Sequence, residues 1–182
     1  MAGIIGYATT EGHTCEDATQ LLAAMKQEIT YTSMERFDQW CDEYLAIGRL
    51  HHGTVNPAPQ PIFDGSMLVV MDGEVFGYDR DKQRLVEQGH QFRLGSDNDA
   101  EYCLHLYQEY GLASFAKLNG SFLIALYNLE TRELLLVNDR LASRPLFYFH
   151  GKRGLAFGSQ LRALLQLKDL PRQIDMQALF DL

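Results

Sequence analysis

Apolar residues open the chain in a strand-like run from Gly3 to Ala8, then change to helical spacing, where Ala18, Leu21, Leu22, Met25 and Ile29 share one face. The change predicts a strand followed by an amphipathic helix over residues 16–28. Strand character returns over 44–50, and Pro57, Pro59 and Pro61 then impose an extended loop over 53–61. Residues 67–71 form a short apolar run of the kind found in buried strands, closed by the turn signal Asp72-Gly73. Two helices are predicted next, over 78–88 up to Gly89 and over 99–110 up to Gly111, the second with Tyr102, Cys103, Leu106 and Tyr107 on one face. Residues 122–128 and 133–139 read as a hairpin around Leu129-Glu130-Thr131-Arg132. Strands over 145–149 and 155–158 lead to a helix from about Ser159, and Asp175 is a candidate N-cap for another. Strands arriving in hairpins, with helices in separate groups, predict α+β layers rather than a doubly wound parallel sheet.

Length and charge narrow the function. With 182 residues, 46% of them hydrophobic, the chain can build one well-packed core. A net charge of −8 without a Lys/Arg cluster argues against a nucleic-acid surface. Neither a basic leader with an apolar segment nor a run of about 18 apolar residues occurs, so no membrane span is expected and a cytoplasmic location is. Cys15, Cys41 and Cys103 are widely spaced, without a CxxC pair, and read as reduced structural thiols. Cys103 lies on an apolar helix face, while Cys15 and Cys41 lack a sequence-adjacent basic group to activate them. His51-His52 alternates across a strand, so the pair is a poor metal clip. Phe147-Tyr148-Phe149 reads as strand packing.

Several motifs follow one another in a fixed order: Arg49-Leu50; Gln60-Pro61; the run from Met67 through Asp72-Gly73-Glu74-Val75-Phe76-Gly77-Tyr78; and Asp99-x-Glu101 followed by Leu104-His105-Leu106-Tyr107. They continue with Leu118-Asn119-Gly120, Asp139-Arg140, Arg144-Pro145-Leu146 and Phe157-Gly158-Ser159. Over nearly the whole chain this series resembles the N-terminal glutamine amidotransferase domain of the asparagine synthetase family. The resemblance implies an N-terminal-nucleophile (Ntn-hydrolase-like) fold, a four-layer αββα sandwich of two mostly antiparallel sheets, over residues 1–166. Residues 167–182 would begin a linker and helix toward a C-terminal ATP-dependent synthetase domain. ATP and Mg would be needed only in that domain, with no cofactor or metal in this one.

Site residues carry over by position. In the family a Cys at position two supplies both thiol and α-amine, a complete nucleophile and base, but here the residue is Ala2. Arg49 matches the clamp for the glutamine α-carboxylate; spacing alone favours a salt-bridged strand-end Arg, and the flanking motifs reverse that. Asp99, with Asp97 as a rival, matches the group that binds the substrate ammonium, or else serves as a helix N-cap. Gly73 would give a backbone N–H to the oxyanion hole and Glu74 would contact the ammonium, unless Asp72-Gly73 is only a turn. Asp72 stands where the family has Asn, and its carboxylate would repel an oxyanion that an amide stabilises. Asn138 and Gln160 are further departures.

The leading expectation is therefore a glutaminase-type domain of an asparagine-synthetase-like amide-forming enzyme, catalytically inactive as written, with glutamine or a similar amino acid as a weak ligand. One alternative is a non-catalytic structural or amino-acid-binding module, as in β-lactam synthetase or lasso-peptide cyclase relatives. Another is an active asparagine synthetase domain with an engineered Cys-to-Ala change. A homodimer is compatible with either.

Overall fold

The computed structural model describes residues 3–94, 98–173 and 177. One sheet contains β1 (Gly3–Thr9), β2 (Arg36–Cys41), β3 (Leu45–His51), β8 (Phe147–His150) and β9 (Gly154–Gly158), in the order β2-β3-β1-β9-β8. The second contains β4 (Ile62–Asp64), β5 (Met67–Val75), β6 (Gly120–Asn128) and β7 (Leu134–Asn138), in that order. Neighbouring strands are antiparallel throughout. The helices are α1 (Cys15–Ile29), α2 (Asp79–Glu87), α3 (Asp99–Tyr110) and α4 (Leu161–Leu164), with a 3-10 helix at Leu112–Lys117.

Alternation along the strands sorts side chains into three apolar layers. Ile4, Leu45, Ile47, Leu68, Val70, Leu123, Ala125 and Phe157 fill the space between the sheets. Ile5, Ala46, Leu50 and Ala156 face outward from the first sheet against Leu22, Met25 and Ile29 of α1 and Leu164 of α4. Val69, Met71, Phe122 and Ile124 face outward from the second against Ala100, Cys103 and Leu104 of α3. These layers make the αββα sandwich, and burying each large side chain contributes about 2 kcal/mol of transfer free energy. Thr14 starts α1 by accepting a hydrogen bond from the Asp17 N–H, and Asn98 starts α3 by accepting one from Glu101. Asp99 is thus the first residue of its helix, not its N-cap.

The alternation also places two polar residues. Leu45 and Ile47 of β3 face the second sheet, so Arg49 does too, while Leu68 and Val70 of β5 bring Asp72 onto the surface facing the first. The turn expected at Asp72-Gly73 does not form: β5 runs on to Val75, paired with β6 from Met67↔Asn128 to Val75↔Gly120. Gly73 is accommodated within the strand at φ 107°. The hairpin at 129–132 is present, with Asn128 Oδ1 accepting from the Glu130 and Thr131 N–H groups and Arg132 at φ 60°. Asp175 lies outside the described residues.

Candidate active site

Arg49 is 2% exposed and its guanidinium is held on several sides. Asp38, its direct cross-strand partner on β2, accepts from Nη2 at 2.9 Å, and the carbonyls of Asn56 and Ala58 accept at 3.0 and 3.1 Å. Burial pulls the guanidinium below its ordinary pKa, and the Asp38 carboxylate counters this. The same Asp38 Oδ2 accepts the Gln60 N–H at 3.0 Å and lies 3.3 Å from His51 Nε2. His51 is pushed down chiefly by desolvation and also by the neighbouring Arg49 charge. Arg49 is therefore ion-paired to the neighbouring strand β2.

A second group of contacts forms because β4 covers β5 only between Met67 and Val69. Beyond that point the backbone of β5 has no strand on that edge among the described residues, and buried polar groups must find other partners. Side chains supply them. Met71 N–H donates to Gln60 Oε1 at 2.6 Å, Gly73 C=O accepts from Asn56 Nδ2 at 2.9 Å, and Val75 N–H donates to Asp99 Oδ2 at 3.0 Å. Asn56 Oδ1 also accepts the Asp99 N–H at 2.7 Å. One side chain thereby joins the loop beside Arg49, the Gly73 backbone and the start of α3. Sequence reasoning missed Asn56, although the Asn-Pro dipeptide in a loop was a usable signal; its φ of 47° is one that Asn adopts more readily than most residues.

Asp99 Oδ1 accepts from the Tyr78 hydroxyl at 2.6 Å, so both of its carboxylate oxygens have partners within the chain. Burial, then the hydrogen bond to Asp99, raises the Tyr78 phenol pKa, and its ring stacks on Tyr102 with centroids 4.1 Å apart. Glu101 anchors the preceding loop by accepting the Arg93 and Leu94 N–H groups at 2.7 and 3.0 Å. Glu74 is half-buried, and its side chain has no hydrogen bond or ion pair among the described residues. Ala2 and Asp97 lie outside the described residues.

Asp72 is buried, which raises its pKa, while Arg144, Arg49 and the Gly73 N–H favour its charged form. Arg144 Nη1 lies 3.3 Å from Oδ2. The loop that presents Arg144 is built on Asp139, whose carboxylate accepts from the N–H groups of Phe122, Leu141 and Ser143 and from the Ser143 hydroxyl. Against the desolvation that would raise it, these bonds hold the Asp139 carboxyl at about 2. Asn138 Nδ2 completes the loop by donating to the Arg144 carbonyl at 2.7 Å.

Asn56 thus joins Arg49, the Gly73 carbonyl and the start of α3 at Asp99, while Arg49 and Asp72 stand on the facing surfaces of the two sheets. Among the described residues no group of three or more His, Cys, Asp or Glu is placed to hold a metal ion. A cavity of about 580 Å³ lies elsewhere, between α1 and β8–β9, lined by Tyr7, Leu21, Phe149 and Leu167 but by none of the predicted site residues. Cys103 is buried and its thiol pKa is pushed up by desolvation. Cys15 and Cys41, distant in sequence, meet where the Cys15 thiol approaches the Cys41 carbonyl at 3.8 Å.

A family model described as a glutamine amidotransferase domain matches residues 1–182. The chain belongs to that family. It is 31% identical to asparagine synthetase [glutamine-hydrolyzing] 2 of Bacillus subtilis (strain 168), over 100% of this chain and 24% of the relative. It is 29% identical to asparagine synthetase [glutamine-hydrolyzing] 1 of Arabidopsis thaliana, over 82% of this chain and 26% of the relative. The glutamine amidotransferase domain described here therefore spans about a quarter of the length of these asparagine-synthetase relatives. Among solved structures, the glutamine phosphoribosylpyrophosphate amidotransferase from B. subtilis shares the fold, with TM-score 0.67 and 18% identity, over 89% of this chain and 42% of that one. No helix among the described residues is long and apolar enough to cross a membrane.

Proposed function

We propose that this glutamine amidotransferase domain belongs to a larger ATP-dependent, amide-forming enzyme, that it does not hydrolyse glutamine, and that ATP and Mg are required only by a C-terminal synthetase domain. The observation that carries this reading is Asp72. Amide hydrolysis passes through a tetrahedral oxyanion, whose stabilisation requires donors aimed at the developing charge. Asp72 instead places a buried carboxyl group next to Gly73, with Arg144 Nη1 3.3 Å from Oδ2, and once ionised that group can only accept hydrogen bonds. Ala2 offers neither thiol nor hydroxyl for nucleophilic attack. An active glutaminase changed only from Cys to Ala would keep the family's Asn at position 72, so the pair favours natural loss of the chemistry.

The test is ammonia release from glutamine. The unmodified protein is expected to release none above a heat-killed control, Ala2→Cys alone to recover little, and Ala2→Cys with Asp72→Asn to recover more. Ammonia release by the unmodified protein would overturn the reading.

A further inference from the structure

We propose that Asp38 is a built-in carboxylate that occupies the anion seat of Arg49 and keeps the carboxylate of a free amino acid from binding there. The proposal rests on the non-hydrolysing reading above and adds a specificity to it. A ligand carboxylate entering such a site would seek a guanidinium fork and a backbone N–H. Asp38 already holds both, taking Arg49 Nη2 at 2.9 Å and the Gln60 N–H at 3.0 Å, with His51 Nε2 at 3.3 Å. The Asn56 and Ala58 carbonyls take further Arg49 donors.

Position strengthens the point. The Asp38 side chain is 17% exposed where that of Arg49 is 2% exposed, so Asp38 lies on the more accessible side of the pair. A second carboxylate could reach Arg49 only by displacing Asp38 or by sharing a poorly solvated space with it, and like charges in such a space repel strongly. The side chain that selects against α-carboxylates is therefore on β2, a strand remote in sequence from the motifs around Gly73 and Asp99.

Calorimetry with the whole 182-residue chain and millimolar L-glutamine tests the proposal. The unmodified chain should give no binding heat. Asp38→Asn should give a measurable heat, with a Kd at least about tenfold below the limit that the unmodified chain sets, and Asp38→Asn with Arg49→Met should lose it. Should Asp38→Asn fail to fold, Asp38→Ala is examined in rising formate against matched chloride. Formate should raise its melting temperature, or restore folding, and should do neither for Asp38→Ala with Arg49→Met. Arg49-dependent glutamine binding by the unmodified chain would overturn the proposal, as would a folded Asp38→Asn without added affinity, or an Asp38→Ala indifferent to formate. Glutamine binding without ammonia release would overturn this proposal alone, whereas ammonia release would overturn the functional reading beneath it.

Discussion

At Gly73 two constraints coincide: a φ of 107°, and the Ser121 carbonyl oxygen 2.0 Å from where a Cβ would stand. Gly73→Ala must therefore strain the backbone and push β6 away, at a cost of about 2–5 kcal/mol. A urea midpoint matching that of the unmodified protein would contradict this. Asn56 is 3% exposed and satisfies the Gly73 carbonyl and the Asp99 N–H together. Asn56→Ala leaves both groups without their partner in a buried place and should cost about 2–4 kcal/mol, read from the same unfolding curves. Arg49 and Asp72 were visible in the sequence as residues, but their condition was not. The Asp38 bond depends on β-register, and the Arg144 contact depends on a loop 72 positions further along the chain.

Among the elements, those with helical apolar spacing or a continuous apolar run were legible: α1 and α3 by spacing, β3 and β6 by their runs, and the β6–β7 hairpin by its turn. Strand β2 was not, because both of its faces mix apolar and polar residues, with Phe37 and Cys41 packed on the α1 side and Trp40 beside Asp38 on the inner side. Strand β4 is three residues long, too short for a period to show. What holds β2 to β3 is partly a missing side chain: a Cβ on Gly48 would come within 2.3 Å of the Phe37 ring. Gly48→Ala should cost about 1–3 kcal/mol, and a double-mutant cycle with Phe37→Leu should recover part of it; strict additivity would show that the two do not touch. The loop from Asp139 to Arg144 gives a pH prediction. The Asp139 carboxyl is lowered from 3.8 to about 2 on folding, so the stability it contributes is present above pH 3.8 and is lost as pH falls through about 2. Asp139→Asn should remove that part of the acid dependence, measured by melting temperature between pH 5 and about 2; an unchanged slope would place the acid-sensitive group elsewhere.

At the scale of the molecule, the single tryptophan reports on how the sheets stay together. Trp40 of the first sheet lies 5.8 Å from the Phe63 ring and 6.4 Å from the Tyr127 ring, both on the second. If the sandwich unfolds as one unit, Trp40 fluorescence and far-ultraviolet dichroism should give superimposable urea transitions. A fluorescence change at lower urea would mean that the sheets separate first. The edge of β5 carries a broader consequence. Gln60, Asn56 and Asp99 stand there in place of a neighbouring strand, sealing backbone that would otherwise invite another chain to pair with it. Their upkeep is a matter of solubility and folding whether or not any substrate arrives. Asn56, Gln60 and Asp99 would therefore be kept by the demands of the fold alone, so their presence in a sequence testifies to an intact sheet edge and not by itself to turnover.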